Sequence, residues 1–299
     1  MMNESLRSSL RMSSKRHLLL HLLACSVLQV TAQADLMNRI GTALKRLPES
    51  GDLLQDSINL AIKADMRLLL DRKEALTTSY TDLPMTHVAA PDGAFDLFTW
   101  NLPRSDGHHD FEGFLLARTS SGQVLYELRD MTGKLPSPEV PELGPERWYG
   151  ALYYEVVPVK KGGRTYYTLL GWKGYSSAET RKVIEILSFR NDKPRFGAPL
   201  FGKGRLRPMR RVFGYAHDVT MTLRYDPSIE AIVMDHLSPI RPDLKDQWAF
   251  YGPDMTHDGY FWHKGEWWFG PELDLRDPGT NAPAGKSGKR SHRARPNAE

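Results

Sequence analysis

Two kinds of apolar periodicity divide the chain. Near the N-terminus Leu36, Ile40, Ala43, Leu44 and Leu47 recur at helical spacing, and Pro48 ends the run. After "PESGD", Leu54, Ile58, Ala61, Ile62 and Leu69 repeat the pattern, with Asp52 as the expected cap. The spacing predicts two amphipathic helices within 35–80, their apolar faces serving packing against the following domain rather than a membrane. From about Leu83 the punctuation changes. "GAFDLFTWN", "FEGFLLART", "QVLYELRD", "ALYYEVVPV", "TYYTLLGW", "KVIEILSF", "EAIVMDHL" and "EWWFG" read as strands, and "RVFGYAHDVTMTLRY" and "GYFWH" supply the rest. "SSG", "KKGGR" and Lys264-Gly265 join neighbouring strands as tight hairpins, and "RNDK" suits a type I turn. About ten strands joined in succession predict a mainly β domain over 81–277, an antiparallel meander, sandwich or barrel-like, behind the two helices. In "TYYTLLGW" both faces carry large side chains, which predicts a strand covered on both sides.

The two ends differ from this middle. Arg7, Arg11, Lys15 and Arg16 precede the apolar run "HLLLHLLACSVLQV", and "AQA" at Ala32 to Ala34 has the small-x-small form of a cleavage site. Residues 1–34 are expected to be an export signal, with translation starting at Met1 or Met12 and a periplasmic or secreted product. The alternative is a lipoprotein anchored through Cys25 in "LLAC", although apolar residues continue past it to Val30. Cleavage after Ala34 leaves a mature chain without cysteine, and so without disulfide or thiol chemistry. Residues 278–299, basic and lacking large apolar groups, are expected to be disordered. Within that tail "GTNAPAGKS" places five residues between Gly279 and Gly285 where a phosphate loop requires four.

The charge balance follows from the ends. Residues 1–34 carry four basic and one acidic side chain and residues 278–299 five and one, so of the formal +4 the ends supply +7 and residues 35–277 are −3. A mildly acidic folded part argues against nucleic acid as a partner.

"APDGAFDLFTWNLPRSDGHHDFEGF", "WYGALYYEVVPVKKGGRTYYTLLGWKG" and "YGPDMTHDGYFWHKGEWW" resemble segments of a family of exported proteins of Gram-negative bacteria to which no activity is assigned. The resemblance covers nearly all of 82–277. It implies an exported, β-rich domain with a helical N-terminal part, and it carries over no catalytic residue. His257 stands where that family would place an aromatic.

Common catalytic patterns are absent: "GYSSA" lacks the second glycine of a nucleophile elbow, and no H-E-x-x-H or G-x-G-x-x-G occurs. His and Asp adjoin four times, at 109–110, 217–218, 235–236 and 257–258. Neighbours on a strand face opposite ways, so each pair offers one ligand to a site assembled across strands. His217, His236, Asp254 and His257 are the candidate ligands of a divalent metal, and with it a metal-assisted hydrolase of the envelope. Turns account for the same residues more simply: Gly252-Pro253-Asp254, Asp258-Gly259 and Lys264-Gly265 predict three turns in "YGPDMTHDGYFWHKGEWWFG". The loop "WNLPRSDGHHD" brings Trp100, Asn101, Arg104, Asp106 and His108 together as candidate binding residues. Trp172 and Tyr175 join them from an aromatic-rich hairpin suited to stacking on sugar rings. The leading expectation is therefore a non-catalytic, envelope-associated domain binding a glycan or other envelope polymer, and the alternative is the hydrolase.

Overall fold

A computed structural model describes residues 31–202 and 207–275. The expected signal sequence up to residue 30, with Cys25, and the basic tail 278–299 lie outside the described residues. The chain divides into two compact units, Met1–Met85 and Thr86–Glu299.

In the first unit helix α1 covers 31–46 and α2 Asp52–Leu70, separated by a 3₁₀ turn at Leu47–Glu49 in which Pro48 ends α1 as expected. Arg39 on α1 donates to both oxygens of Asp65 on α2, at 3.0 and 2.5 Å, which sets the helices side by side. Gly51, not Asp52, is the N-cap of α2; Asp52 is its first helical residue, where a carboxylate still favours the positive end of the helix. The buried stripe of α2 is Ile58, Ile62, Met66 and Leu69, while Leu54 is exposed. Among the described residues no helix is long and apolar enough to cross a membrane.

Among the described residues the second unit has thirteen strands in three antiparallel sheets, none closed into a barrel. Sheet 1 is the meander β1 (Thr86–Ala89), β2 (Phe95–Pro103), β3 (His109–Thr119), β4 (Gly122–Arg129). Sheet 2 is β5 (Leu152–Lys161), β6 (Arg164–Gly174), β7 (Glu179–Arg190), β8 (Lys193–Phe196), with β9 (Arg211–Ala216) also paired to β7. Sheet 3 is β10 (Leu223–Asp226), β11 (Ala231–Pro239), β12 (Tyr251–His263), β13 (Glu266–Gly270).

Alternation along sheet 2 explains the stacking. Tyr167, Leu169, Val183 and Leu187 enter one core with Phe95, Leu97 and Leu115 of sheet 1. Leu170, Ile184 and Ile186, of opposite parity, enter another with Ile232, Met234 and Trp267 of sheet 3. The middle sheet is thus apolar on both faces, as "TYYTLLGW" required, and the sandwich alternative holds. Trp267 crosses the second gap, its Nε1 donating to Thr168 Oγ1 at 2.9 Å.

Two turn expectations are corrected. Asn191 and Asp192 have φ of 51° and 61°, so the β7–β8 connection is a mirror-image type I′ hairpin, whose twist matches its strands better than a type I turn would. In the 251–270 stretch only Lys264-Gly265 turns; Gly252-Pro253-Asp254 and Asp258-Gly259 lie inside the 13-residue strand β12. Gly259 is there for close approach: a Cβ would sit 2.5 Å from Leu273 Cδ1 and 2.9 Å from the Ile232 carbonyl.

Candidate functional site

The pairing of β11 with β12 assembles a cleft at the edge of sheets 2 and 3. Met234 stands opposite Asp258 and Ile232 opposite Tyr260, and Ile232, Met234 and Tyr260 enter the core shared with sheet 2. Between the Asp235–His257 and Leu237–Pro253 pairs, His236 alone faces three residues of β12, Asp254, Met255 and Thr256. This bulge, with Met255 at φ 72°, breaks the regular alternation and aims His236 at Asp258. His236 Nδ1 lies 2.7 Å from Asp258 Oδ2, while Nε2 is 3.8 Å from Asp254 Oδ2, beyond hydrogen-bond length.

Asp258 is buried and its other oxygen accepts the Glu272 amide at 3.2 Å. The hydrogen bond to Asp258 raises the His236 pKa, favouring the imidazolium. The Thr256 hydroxyl and amide bind Asp254 and lower its pKa. The arrangement is a buried carboxylate hydrogen-bonded to an imidazole whose protonated form it favours.

Around this pair, β9 supplies Arg211, Phe213 and Gly214, and Trp248, Tyr251, Tyr260 and Phe269 complete an aromatic lining of a cleft of about 260 Å³. Trp248 belongs to a short 3₁₀ turn, Trp248–Phe250, and can lie on β9 because residue 214 has no side chain; a Cβ there would be 2.7 Å from Trp248 Cβ. Trp248 and Phe269 remain 43% and 51% exposed, so their rings are open to a ligand. Arg211 donates from Nη1 to Glu139 at 3.2 Å, and among the described residues its buried Nε has no acceptor.

No protein-family model, curated protein or solved structure matches the chain.

The four candidate metal ligands are only partly brought together. His236 and Asp254 are neighbours, but His257 turns to Asp235, 3.5 Å away across the strands, and His217 lies beside Thr180 at 3.4 Å. Among the described residues no three His, Cys, Asp or Glu side chains converge as metal ligands would.

Most of the candidate binding residues are engaged by protein partners, while Asp106 and His108 are exposed. Trp100 is 3% exposed and stacks on Phe114 at 6.0 Å. The loop after β2 closes on itself: Asp106 accepts the His108 amide at 2.9 Å and sits 3.2 Å from its ring, and Arg104 pairs with Asp110 at 2.7 Å. Asn101 donates to His109 Nδ1 at 2.8 Å, and His109, its pKa lowered by burial, meets Trp172 edge-on. The ring of Tyr175 is covered by the Arg181 guanidinium at 3.3 Å. These groups surround a charge that sequence reasoning passed over. Lys173, 1% exposed, donates from Nζ to the Gly150 carbonyl at 2.5 Å and lies over the Phe111 and Tyr149 rings. Burial pushes its pKa down to about 8 and that of Tyr149 up to about 12. This cluster is a polar core around a buried lysine held by one carbonyl and two aromatic rings.

Proposed function

We propose that this chain is an exported, non-catalytic module of the cell envelope that binds a glycan ring in the cleft between β9 and sheet 3. The observation that carries the reading is the exposed aromatic pair Trp248 and Phe269 beside a cleft sized for one ring. Ligand sites are mostly apolar with a few placed polar groups, and this cleft has that composition. Flat aromatic faces with adjacent hydrogen-bonding groups suit sugars, which present an apolar C–H face and a polar rim. The roles foreseen for Trp172, Tyr175, Trp100 and Arg104 pass to Trp248 and Phe269, because the former are engaged within the fold.

The test is titration of the purified protein against soluble oligosaccharides from Gram-negative envelope fractions, with Trp248→Ala alongside. Binding that is lost in the variant at an unchanged melting temperature is the expected outcome. Absence of binding to every fraction, or binding indifferent to Trp248→Ala, would sink the reading.

A further inference from the structure

The hairpins β5–β6 and β12–β13 end side by side. A Cβ at Gly265 would lie 3.0 Å from Lys161 Cγ, and Lys161 Nζ reaches Glu266 at 3.5 Å. Among the described residues this junction gathers Lys160, Lys161, Arg164, Lys264 and Arg207 around one carboxylate, Glu266, whose Oε1 is shared by Lys161 and by Arg207 at 2.5 Å. Lys160, Arg164 and Lys264 are exposed. Five cations against one acid stand out in a stretch, 35–277, whose balance is −3. Further across sheet 3, Asp226 and Glu230 flank the turn between β10 and β11, two strands from the β12–β13 tip, and Asp226 is held by Arg224 at 2.9 Å.

Turn chemistry does not account for Lys264. Lys264 and Gly265 have φ of 51° and 79°, a type I′ pair whose first position favours Asn, Asp or Gly. The β5–β6 tip meets the same demand with Gly162 and Gly163, at 57° and 74°. A lysine at positive φ is uncommon, so the turn gives no reason for a cation there. Nor do the tips offer what a protein partner needs. None of the exposed large apolar side chains among the described residues lies on either tip, whereas protein interfaces centre on apolar and aromatic anchors. Adsorption to an anionic bilayer needs only cations brought near its surface. Charges spread over the tips of two sheets about 10 Å apart face an extended surface rather than a single anion. We propose that this end of sheets 2 and 3 docks on phosphate-bearing lipid headgroups. The inference does not rest on the glycan reading, since the tip lies about 20 Å along β12 from Asp258 in the cleft.

Co-sedimentation of the whole protein with vesicles of phosphatidylcholine, with and without phosphatidylglycerol, tests this. Binding is expected only to the anionic vesicles and should weaken as salt rises. Lys160→Gln, Arg164→Gln and Lys264→Asn should each lower it about fivefold, and the triple variant about a hundredfold. Lys264→Asn is the cleanest of these, because asparagine suits the turn and the melting temperature should hold or rise. The basic tail 278–299 is the same in every variant. Undiminished binding of the triple variant would therefore assign adsorption to the tail and overturn the inference. Equal binding to neutral vesicles, or binding to neither, would overturn it as well. Retention on heparin that the triple variant loses, with no vesicle binding, would give the tips to a soluble polyanion and overturn the lipid surface. None of these outcomes bears on the Trp248→Ala titration, so the two readings fail separately.

Discussion

Arg210→Met is the substitution from which most can be learned about what holds the second unit together. Arg210 and Glu185 are both fully buried, with Arg210 Nε donating to Glu185 Oε2 at 2.6 Å. The same guanidinium donates from Nη1 to the carbonyls of Pro138 and Pro141 and from Nη2 to Phe196 O, tying the loop before β5 and the end of β8 to β7. Methionine fills much of the volume but leaves Glu185 with a single partner, the Ile186 amide at 3.0 Å, and strands the Pro138 and Pro141 carbonyls, while Phe196 O keeps the Leu143 amide. Breaking a buried pair from one side costs about 3–5 kcal/mol. At roughly 2–4 °C per kcal/mol for a domain of this size, the melting temperature should fall by about 6–20 °C. Burial already raises the Glu185 pKa against the pull of Arg210, and without Arg210 it rises further. A folded pKa above the unfolded value means that stability falls as pH climbs through that window. The gap between wild type and Arg210→Met should therefore be smaller at pH 5 than at pH 8. Thermal melts of wild type, Arg210→Met, Glu185→Leu and the double variant at pH 5 and pH 8 give the test. The double variant should recover part of the loss, since removing both charges spares the desolvation of an unpaired carboxylate. A single variant that melts within about 2 °C of wild type, or a double variant whose loss is the sum of the two singles, would refute the reasoning.

Lys173→Met should become less stable relative to wild type as pH rises from about 8 toward the ordinary lysine value of 10.5, because over that interval only the unfolded chain holds the proton. Thermal melts at pH 7.5 and 10 read this directly, and a pH-independent difference would contradict it. The His236 ring should titrate above 6.5 by NMR and fall on Asp258→Asn; the stability it contributes is complete below 6.5 and lost as pH rises through the raised value. A midpoint at or below 6.5 in the wild type would contradict the ion pair. Gly259→Ala should cost about 1–3 kcal/mol by overpacking, and Leu273→Ala should recover only part of it because the Ile232 carbonyl remains in the way. Full recovery in the double variant would show that the backbone contact is unimportant.

Most of the fold was legible because burial imposes periodicity. The two-sided strand "TYYTLLGW" declared the middle of a stack, and the hairpin at Gly162-Gly163 declared the register of β5 and β6. What misled was chemistry that serves two purposes. Pro253, Asp254 and Gly259 are turn residues by composition, yet in β12 they make a bulge and a close contact, and one sequence cannot tell a bend from an insertion. The site was legible only in fragments for a related reason. His236 and Asp254 stood out as polar groups on strands, but Arg211, Trp248 and Phe269 come from segments up to 58 residues apart and carry no shared spacing. Trp172 and Tyr175 looked available because aromatic clusters look alike whether a ring faces solvent or an arginine. Arg181 above Tyr175, and the empty position at Gly214 beneath Trp248, distinguish the ring covered within the fold from the ring left exposed.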